Sequence, residues 1–158
     1  MGFAYADRSV FLGDPDYFNV PVDKLVSKDY AKTIAEKIKN KEITKIQPGM
    51  FIKESDETTH FSIIDKWGNA VSNTYTLNGA YGSGIVAKGT GILMNNEMDD
   101  FSQKPGYPNL YGLIGSEANK IEPKKSPLSS MSPVIVSKDN MPYLITGSPG
   151  GSTITVSY

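Results

Sequence analysis

The residue with the clearest potential for chemistry is Thr58, which lies in the run Glu57-Thr58-Thr59-His60-Phe61-Ser62. A threonine hydroxyl inside a chain is a poor nucleophile. If the chain is cut before Thr58, the freed α-amine titrates near ~8 and can accept the hydroxyl proton. The pattern therefore favours Thr58 as an N-terminal nucleophile that is exposed only by cleavage.

Three further clusters have side chains or backbone suited to binding. Residues 95–100 gather amides and carboxylates that could hold an ammonium group or a divalent cation, although a turn with capping Asp residues is the default interpretation. Residues 127–133 offer several hydroxyls that could bind a carboxylate, or they form an ordinary Ser-rich loop. Residues 147–152 are Gly-rich and lack the lysine and the spacing of a P-loop. Their backbone N–H groups suit an oxyanion hole better than a phosphate site.

His60 is the only histidine of the chain, so a Ser-His-Asp triad would have to use it. It is the third residue of a predicted strand, a place that favours a structural role. The chain has no cysteine, which excludes disulfides, thiolate metal sites and Cys nucleophiles.

The length and composition fit one globular domain with a hydrophobic core of moderate size. The chain has 158 residues with 16 Lys and Arg against 17 Asp and Glu. This balance argues against a nucleic-acid or anionic-membrane surface. No apolar run reaches membrane-spanning length, and Asp7 and Arg8 occupy the place where a signal core would lie.

One helix is predicted in the first part of the chain, over residues 27–38. Ser27 or Asp29 can cap its start, and Ala31, Ile34, Ala35 and Ile38 then share one face that would pack on a core. Residues 43–57 read as an exposed polar connection that is accessible to cleavage.

After Thr58 the sequence becomes typical of β-structure. Residues 58–64 and 70–77 predict two strands of a hairpin whose loop, 65–69, gives Gly68 or Asn69 the left-handed position. When Ile64 faces Ala70, Thr58 lies opposite Thr76. Directly opposed residues have Cβ atoms roughly 5 Å apart, so the two hydroxyls could hydrogen-bond. A slip of one residue would turn Thr76 to the other face. Taken alone, the pattern favours an ordinary Thr–Thr cross-strand pair over a catalytic one.

Three more strands are predicted at residues 91–95, 133–137 and 142–146, the last two joined by a turn at 138–140. Residues 105–115 are too rich in Pro and Gly for a regular element, yet they carry apolar and aromatic side chains. This composition indicates a compact surface loop or a loop that covers a site.

Taken together, these motifs resemble the γ-glutamyltranspeptidase family of N-terminal-nucleophile hydrolases. The resemblance covers nearly the whole chain and depends on the order of its motifs, since each alone is weak. The matching segments are residues 5–9, 12–16, 58–62, 68–71, 74–78, 95–101, 127–133 and 147–152.

The resemblance implies a role for each matched residue. The nucleophile is Thr58, first for self-cleavage and then for attack on a γ-glutamyl amide, with its freed α-amine as base. Thr76 orients or activates that hydroxyl, and Gly150 and Gly151 supply the oxyanion N–H groups. The substrate-binding positions are Asn78, Glu97 and Asp100 for the α-amino group, Ser129 and Ser130 for the α-carboxylate, and Tyr111 in a lid-like loop over the glutamyl group.

The resemblance also implies an α+β fold, the αββα four-layer sandwich of Ntn-hydrolases, here in part. Residues 1–57 match the C-terminal segment of the large subunit and residues 58–158 the first part of the small, catalytic subunit. Glutathione and other γ-glutamyl compounds are the implied donors, and water, amino acids or peptides the implied acceptors. The two subunits remain a heterodimer, no cofactor or metal is needed, and the location is periplasmic or secreted.

Several positions depart from the family pattern. Thr153 stands where arginine is common, and Ser126 interrupts a usual basic pair. The arginine that pairs with the substrate carboxylate belongs upstream of this chain in the family. These departures, with the strand-like end at residues 155–158, predict a fragment or truncated homologue.

Two alternatives follow. A cephalosporin acylase shares the architecture but takes a glutaryl group, which has no α-amine to pair with Glu97 and Asp100. A non-catalytic remnant, which acts only as a folding or binding partner, would be unaffected by Thr58→Ala.

Overall fold

A computed structural model describes residues 2–42, 58–151 and 154, and it divides the chain into two compact units. Unit 1 comprises Met1–Ile52 and Met98–Leu128, and unit 2 comprises Lys53–Glu97 and Ser129–Tyr158. The predicted connection at 43–57 and the departure at Thr153 lie outside the described residues. The described part combines helices and strands, which confirms the α+β content.

The described α-helices of unit 1 lie in its first segment, and a short 3₁₀ helix, Glu117–Asn119, lies in its second. The α-helices are α1 (Gly2–Phe11), α2 (Val22–Leu25) and α3 (Lys28–Lys39). The predicted helix is confirmed as α3, and Ser27 is its cap, because the Ser27 side chain accepts a hydrogen bond of 3.1 Å from the Tyr30 N–H. Such caps stabilise a helix by about 1 kcal/mol.

The expectation that one face of α3 packs on a core is wrong for the described residues. No residue of α3 is buried, and Ile38 is 58% exposed. Within the described residues α3 contacts α2, and the predicted apolar face stays exposed except at Ile34, which is partly buried.

The helix α1 was not predicted. It is tied to α3 by the Tyr30 hydroxyl, which donates to the Asp7 carboxylate at 2.9 Å. Burial, and then the hydrogen bond to Asp7, raise the pKa of Tyr30. Apolar periodicity did not predict α1, because residues 7–9 are polar and no typical N-cap residue precedes the helix.

The second segment of unit 1 is fastened to the first by long-range hydrogen bonds. The Asp14 carboxylate accepts from the Ser126 N–H at 2.8 Å, and the Tyr17 hydroxyl donates to the Pro123 carbonyl at 3.0 Å. The backbone donors Ser126 and Asp16 hold the pKa of Asp14 below its usual value. These bonds join residues that lie on opposite sides of Thr58 in sequence.

Unit 2 contains the predicted hairpin, formed by β1 (Thr59–Ile64) and β2 (Ala70–Tyr75). The strands pair antiparallel from Ile64↔Ala70 to Thr59↔Tyr75, which confirms the predicted register. Thr58 immediately precedes β1 and Thr76 immediately follows β2.

The turn of this hairpin is set by Asp65 and Gly68. The Asp65 carboxylate accepts from the N–H groups of Trp67 and Asn69, each at 2.9 Å, and from the Asn69 side chain at 2.7 Å. The Asn69 side-chain bond is the largest cause of the lowered pKa of Asp65. Gly68 has φ of 86°, as predicted for the left-handed position.

A second hairpin is formed by β3 (Val134–Lys138) and β4 (Met141–Thr146). Its two turn residues, Asp139 and Asn140, have φ of 52° and 60°, the signature of a type I′ turn. The two hairpins meet within unit 2, where the Ser72 hydroxyl donates to the Thr146 carbonyl at 2.8 Å. Both predicted strands of this hairpin are confirmed.

The strand predicted at residues 91–95 is wrong. That segment makes only an isolated bridge, Val86↔Leu93, with flanking backbone bonds such as Met94 N–H to the Ile85 carbonyl at 2.8 Å. Gly89 and Gly91 have φ of 81° and 73°, which breaks the extended backbone that a ladder needs.

Few apolar side chains are buried in the described residues. They are Phe101, Ala118 and Ile154. No helix among the described residues is long and apolar enough to cross a membrane.

Candidate functional site

The two threonines at the open end of the β1–β2 hairpin lie next to each other in register. Thr58 is buried at 8% exposure, and Thr76 is partly buried. The ladder ends at Thr59↔Tyr75, and the same register carried one residue further sets Thr58 across from Thr76. The Thr76 hydroxyl oxygen accepts from the Asn78 N–H at 3.0 Å, and a hydroxyl that accepts one hydrogen bond can still donate its own proton.

Asn78 is held in a left-handed conformation beside residues 95–97. It has φ of 71° and is 4% exposed, and its side-chain amide donates to the Asn96 carbonyl at 3.3 Å. The Asn96 side chain in turn accepts from the Gly79 N–H at 2.9 Å. The segment after β2 is therefore fixed against the segment that leads to Glu97.

The acidic cluster is a short 3₁₀ helix, Glu97–Asp100, so the predicted turn is confirmed, although its first residue is capped by an Asn and not by an Asp. Asn95 caps it, because its side-chain oxygen accepts from the Glu97 N–H at 3.1 Å. Glu97 and Asp100 are both partly buried. Burial lowers the pKa of Arg8, and the attraction of the Asp100 carboxylate opposes that shift, so a guanidinium from α1 lies near this carboxylate.

Asp99 anchors the loop that carries Tyr111. Its carboxylate accepts from the Leu110 N–H at 2.9 Å, and its carbonyl accepts from the Asn109 side chain at 3.3 Å. The Asn109 side chain also accepts from the Tyr111 N–H at 3.0 Å. The Pro- and Gly-rich segment is thus a compact, internally bonded loop, and Tyr111 is partly buried in it.

Asn119 is a buried junction that the sequence analysis did not single out. Its side chain donates to the Asp100 carbonyl at 2.7 Å and accepts from the Leu128 N–H at 3.0 Å. It is 6% exposed. One side chain therefore fixes both the acidic turn and the residue before Ser129. The only sequence signal for it is the cap at Ser116, which accepts from the Ala118 N–H.

The predicted serines begin the unit 2 part of the Ser-rich segment. Ser129 is exposed, and its hydroxyl oxygen accepts from the Met131 N–H at 3.1 Å. Ser130 is partly buried, and its carbonyl accepts from the Ser132 hydroxyl at 3.2 Å. Neutral hydroxyls and N–H groups of this kind suit an anionic group without adding charge.

Gly150 and Gly151 follow β4 after a short loop. Their φ angles are 131° and 55°, both in the region that side-chain-bearing residues rarely adopt. Successive backbone N–H groups in turns can form an anion-binding concavity, the kind of group from which oxyanion holes are built.

The predicted site residues are divided between the two units. Asp100 and Tyr111 belong to unit 1. The larger set lies in unit 2 and comprises Thr58, Thr76, Asn78, Glu97, Ser129, Ser130, Gly150 and Gly151. Across the described ranges, no group of three or more His, Asp or Glu residues is placed to hold a metal ion.

The Asp99 anchor predicts a local effect on the loop. Asp99→Ala is expected to raise hydrogen exchange of residues 105–115 roughly tenfold or more, because a hydrogen bond to a charged acceptor contributes about 1.5–3 kcal/mol. Exchange is followed by mass spectrometry of that peptide. Gln103→Ala is the matched control, since Gln103 contacts the other carboxylate oxygen at 3.3 Å and not the loop. Equal protection of the loop in Asp99→Ala and the native chain would contradict the anchor.

Comparison with known proteins gives consistent matches. A sequence model of the family described as Gamma-glutamyltranspeptidase matches residues 1–158. The glutathione hydrolase proenzyme of Escherichia coli (strain K12) is 58% identical over 156 residues, which are 96% of this chain and 27% of the relative. The chain therefore spans about a quarter of the length of the curated relatives it matches.

Two solved structures share its fold at 64% sequence identity. A mutant γ-glutamyltranspeptidase from Helicobacter pylori gives a TM-score of 0.57 and covers 61% of this chain and 52% of its own. An acivicin-inhibited γ-glutamyltranspeptidase, described as having a C-terminus critical for autoprocessing and catalysis, gives 0.57 and covers 61% and 51%.

An acylase is a more distant relative. The Acylase ACY 1 proenzyme of Pseudomonas sp. (strain SE83) is 34% identical over 154 residues, which are 98% of this chain and 26% of the acylase. The full-length family match and the higher identity of the glutathione hydrolases agree with the order of motifs. The chain belongs to the γ-glutamyltranspeptidase family.

Proposed function

We propose that this chain carries the nucleophile of a γ-glutamyltranspeptidase, or glutathione hydrolase, that activates itself by cleavage before Thr58. The observation that carries the proposal is the position of Thr58, buried at the head of β1 in the register that sets Thr76 across from it. Family membership over residues 1–158 supports the same chemistry.

The proposed activation is an acyl shift followed by hydrolysis. The Thr58 hydroxyl attacks the carbonyl carbon of Glu57, and the peptide C–N bond breaks to leave an ester on Thr58 and a free α-amine. Water then hydrolyses the ester, which gives a carboxylate on Glu57 and regenerates the hydroxyl. From this point the α-amine of Thr58 serves as the base for its own hydroxyl.

The proposed turnover uses the same hydroxyl on a γ-glutamyl amide. Attack forms a tetrahedral oxyanion that the N–H groups of Gly150 and Gly151 stabilise, and collapse releases the amine and leaves a γ-glutamyl ester. Water then gives hydrolysis, or the amine of an amino acid or peptide gives transfer. Thr76 orients the Thr58 hydroxyl by donating a hydrogen bond to it or by accepting one from it.

The proposed donor site recognises both charges of the γ-glutamyl group. Glu97 and Asp100 pair with the α-ammonium, assisted by the Asn78 side chain, and Ser129 and Ser130 bind the α-carboxylate. By the family resemblance Tyr111 belongs to the lid of the donor site, and it lies in the loop that Asp99 anchors. Glutathione and related γ-glutamyl amides have this pair of charges at the reacting end.

The proposed subunits stay together after cleavage. The bonds from Asp14 to Ser126 and from Tyr17 to Pro123 join residues before and after the cleavage site within unit 1. The heterodimer therefore consists of residues 1–57 with residues 58–158 in this part of the protein. The four-layer αββα sandwich and a periplasmic or secreted location complete the proposal by family resemblance.

Self-cleavage is tested by mass spectrometry of the purified protein over long incubation. The native protein is expected to yield a fragment that begins at Thr58. Thr58→Ala is expected to slow cleavage by on the order of 10³-fold or more, because the nucleophile is lost, whereas Thr58→Ser retains a hydroxyl and part of the rate. Thr59→Ala is the control, since Thr59 is exposed and points to the opposite face of β1. If Thr58→Ala and the native protein behave identically, the result would contradict the proposal and favour the non-catalytic remnant.

The donor class is tested by comparing a γ-glutamyl and a glutaryl chromogenic amide. Glu97→Gln is expected to raise KM for the γ-glutamyl amide roughly 10- to 100-fold, because a hydrogen-bonded charge pair contributes about 1.5–3 kcal/mol. It is expected to leave the glutaryl amide unaffected. Glu117→Gln is the matched control, because Glu117 is exposed and pairs with Lys120 at the surface. Preference of the native protein for the glutaryl amide would instead favour the acylase.

A further inference from the structure

His60 is fixed in one orientation on the polar face of the β1–β2 hairpin. It pairs with Thr74 across the strands, and its Nδ1 atom lies 2.7 Å from the Thr74 hydroxyl oxygen. Its Nε2 atom lies 3.1 Å from the hydroxyl oxygen of Ser62, two residues along the same strand. Both ring nitrogens therefore have a hydroxyl partner in this orientation of the imidazole.

The ring of His60 lies directly on the backbone of Gly147. A Cβ atom at Gly147 would overlap Cε1 and Nδ1 of the ring, and even Nε2 is only 2.6 Å from that position. The φ angle of Gly147 is not positive, unlike those of Gly150 and Gly151. The glycine is therefore required here by the close approach of the ring and not by backbone conformation.

Gly147 connects β4 to the loop of Gly150 and Gly151. The preceding residue, Thr146, is held by its carbonyl, which accepts from the Ser72 hydroxyl at 2.8 Å. The exit of β4 is thus attached to the hairpin at two adjacent residues, once by a hydrogen bond and once by the stacked ring.

The same face of the hairpin carries the nucleophile. Side chains alternate along a strand, so every second residue points the same way. The residues on this face are Thr58, His60 and Ser62 from the β1 side, with Ser72, Thr74 and Thr76 from the β2 side. His60 is one step along this face from Thr58 and in contact with the start of the Gly-rich loop.

We infer that His60 is a positioning residue that sets the separation between the Thr58 strand and the oxyanion loop, with its ring as a spacer against Gly147. The inference depends on the proposed function. The ring touches neither the nucleophile nor the substrate in this role. It acts through distance, because a misplacement of about 1 Å between reacting groups can cost about 10²-fold in rate.

A spacer of this kind affects the reacting geometry more than substrate binding. In the proposed function Glu97, Ser129 and Ser130 hold the donor, whereas the ring nitrogens of His60 contact Thr74 and Ser62. Changes at His60 or Gly147 are therefore expected to lower kcat while KM stays within about twofold. If His60 only stabilised the fold, its substitution would lower the melting temperature without lowering kcat selectively over KM.

The test is a double-mutant cycle on the full-length protein with a γ-glutamyl amide. The variants are His60→Ala, Gly147→Ala and the double substitution, with kcat, KM, self-cleavage rate and melting temperature measured for each. Gly147→Ala alone is expected to lose about 10²-fold in kcat, because its Cβ displaces the loop. In the double variant that Cβ enters the space left by the ring, so kcat is expected to exceed that of Gly147→Ala by about tenfold.

Ile63→Ala is the control, since Ile63 is exposed on the opposite face of β1. It is expected to leave kcat unchanged. The inference would be overturned if the fold-losses in kcat of the two single variants simply multiply in the double variant, or if kcat is unchanged in His60→Ala. The proposed function would stand in either case. A native protein that neither cleaves itself nor turns over the amide overturns both, because a positioning residue requires a reaction.

Discussion

The antiparallel register of β1 and β2 is the constraint from which the arrangement of unit 2 follows. Pairing Ile64 with Ala70 puts the side chains of His60, Ser62, Ser72 and Thr74 on one face of the hairpin. Thr58 and Thr76 lie at the open end of that face. A slip of one residue would turn one strand's polar set to the other face and separate the two threonines. The turn prevents this slip, because Asp65 accepts three hydrogen bonds across it and Gly68 supplies the left-handed residue.

Polar side chains, more than apolar ones, fix the segments around the candidate site. The His60 ring and the Ser72 hydroxyl hold the exit of β4, and Asn78 and Asn96 hold the chain after β2. In unit 1, Asn119 does the same for Asp100 and Leu128. A buried amide that bonds to two backbone segments fixes their separation, whereas apolar contact alone permits sliding. Backbone segments fixed by polar side chains suit a site in which backbone and hydroxyl groups must contact a small charged ligand.

Local signals were sufficient to predict the elements that local chemistry determines. The cap at Ser27, the hairpin register and the second hairpin were confirmed because each depends on residues close in sequence. The strand at 91–95 was wrong because its β-like composition is interrupted by left-handed glycines. The junction at Asn119 and the anchoring role of Asp99 were not predicted, because their partners lie 9 to 19 residues away and the sequence around an Asn or Asp gives no sign of such a partner. The family resemblance supplied roles that these local signals do not contain.

The central claim is that Thr58 forms the acyl-enzyme, and trapping that intermediate tests it most directly. The protein is incubated with a γ-glutamyl amide, quenched in acid and digested, and the modified peptide is identified by mass spectrometry. The account predicts a γ-glutamyl ester on the peptide whose first residue is Thr58, and no such ester in Thr58→Ala. A γ-glutamyl group on Ser129, Ser130 or any other hydroxyl, or on a chain that is still joined to Glu57, would contradict it.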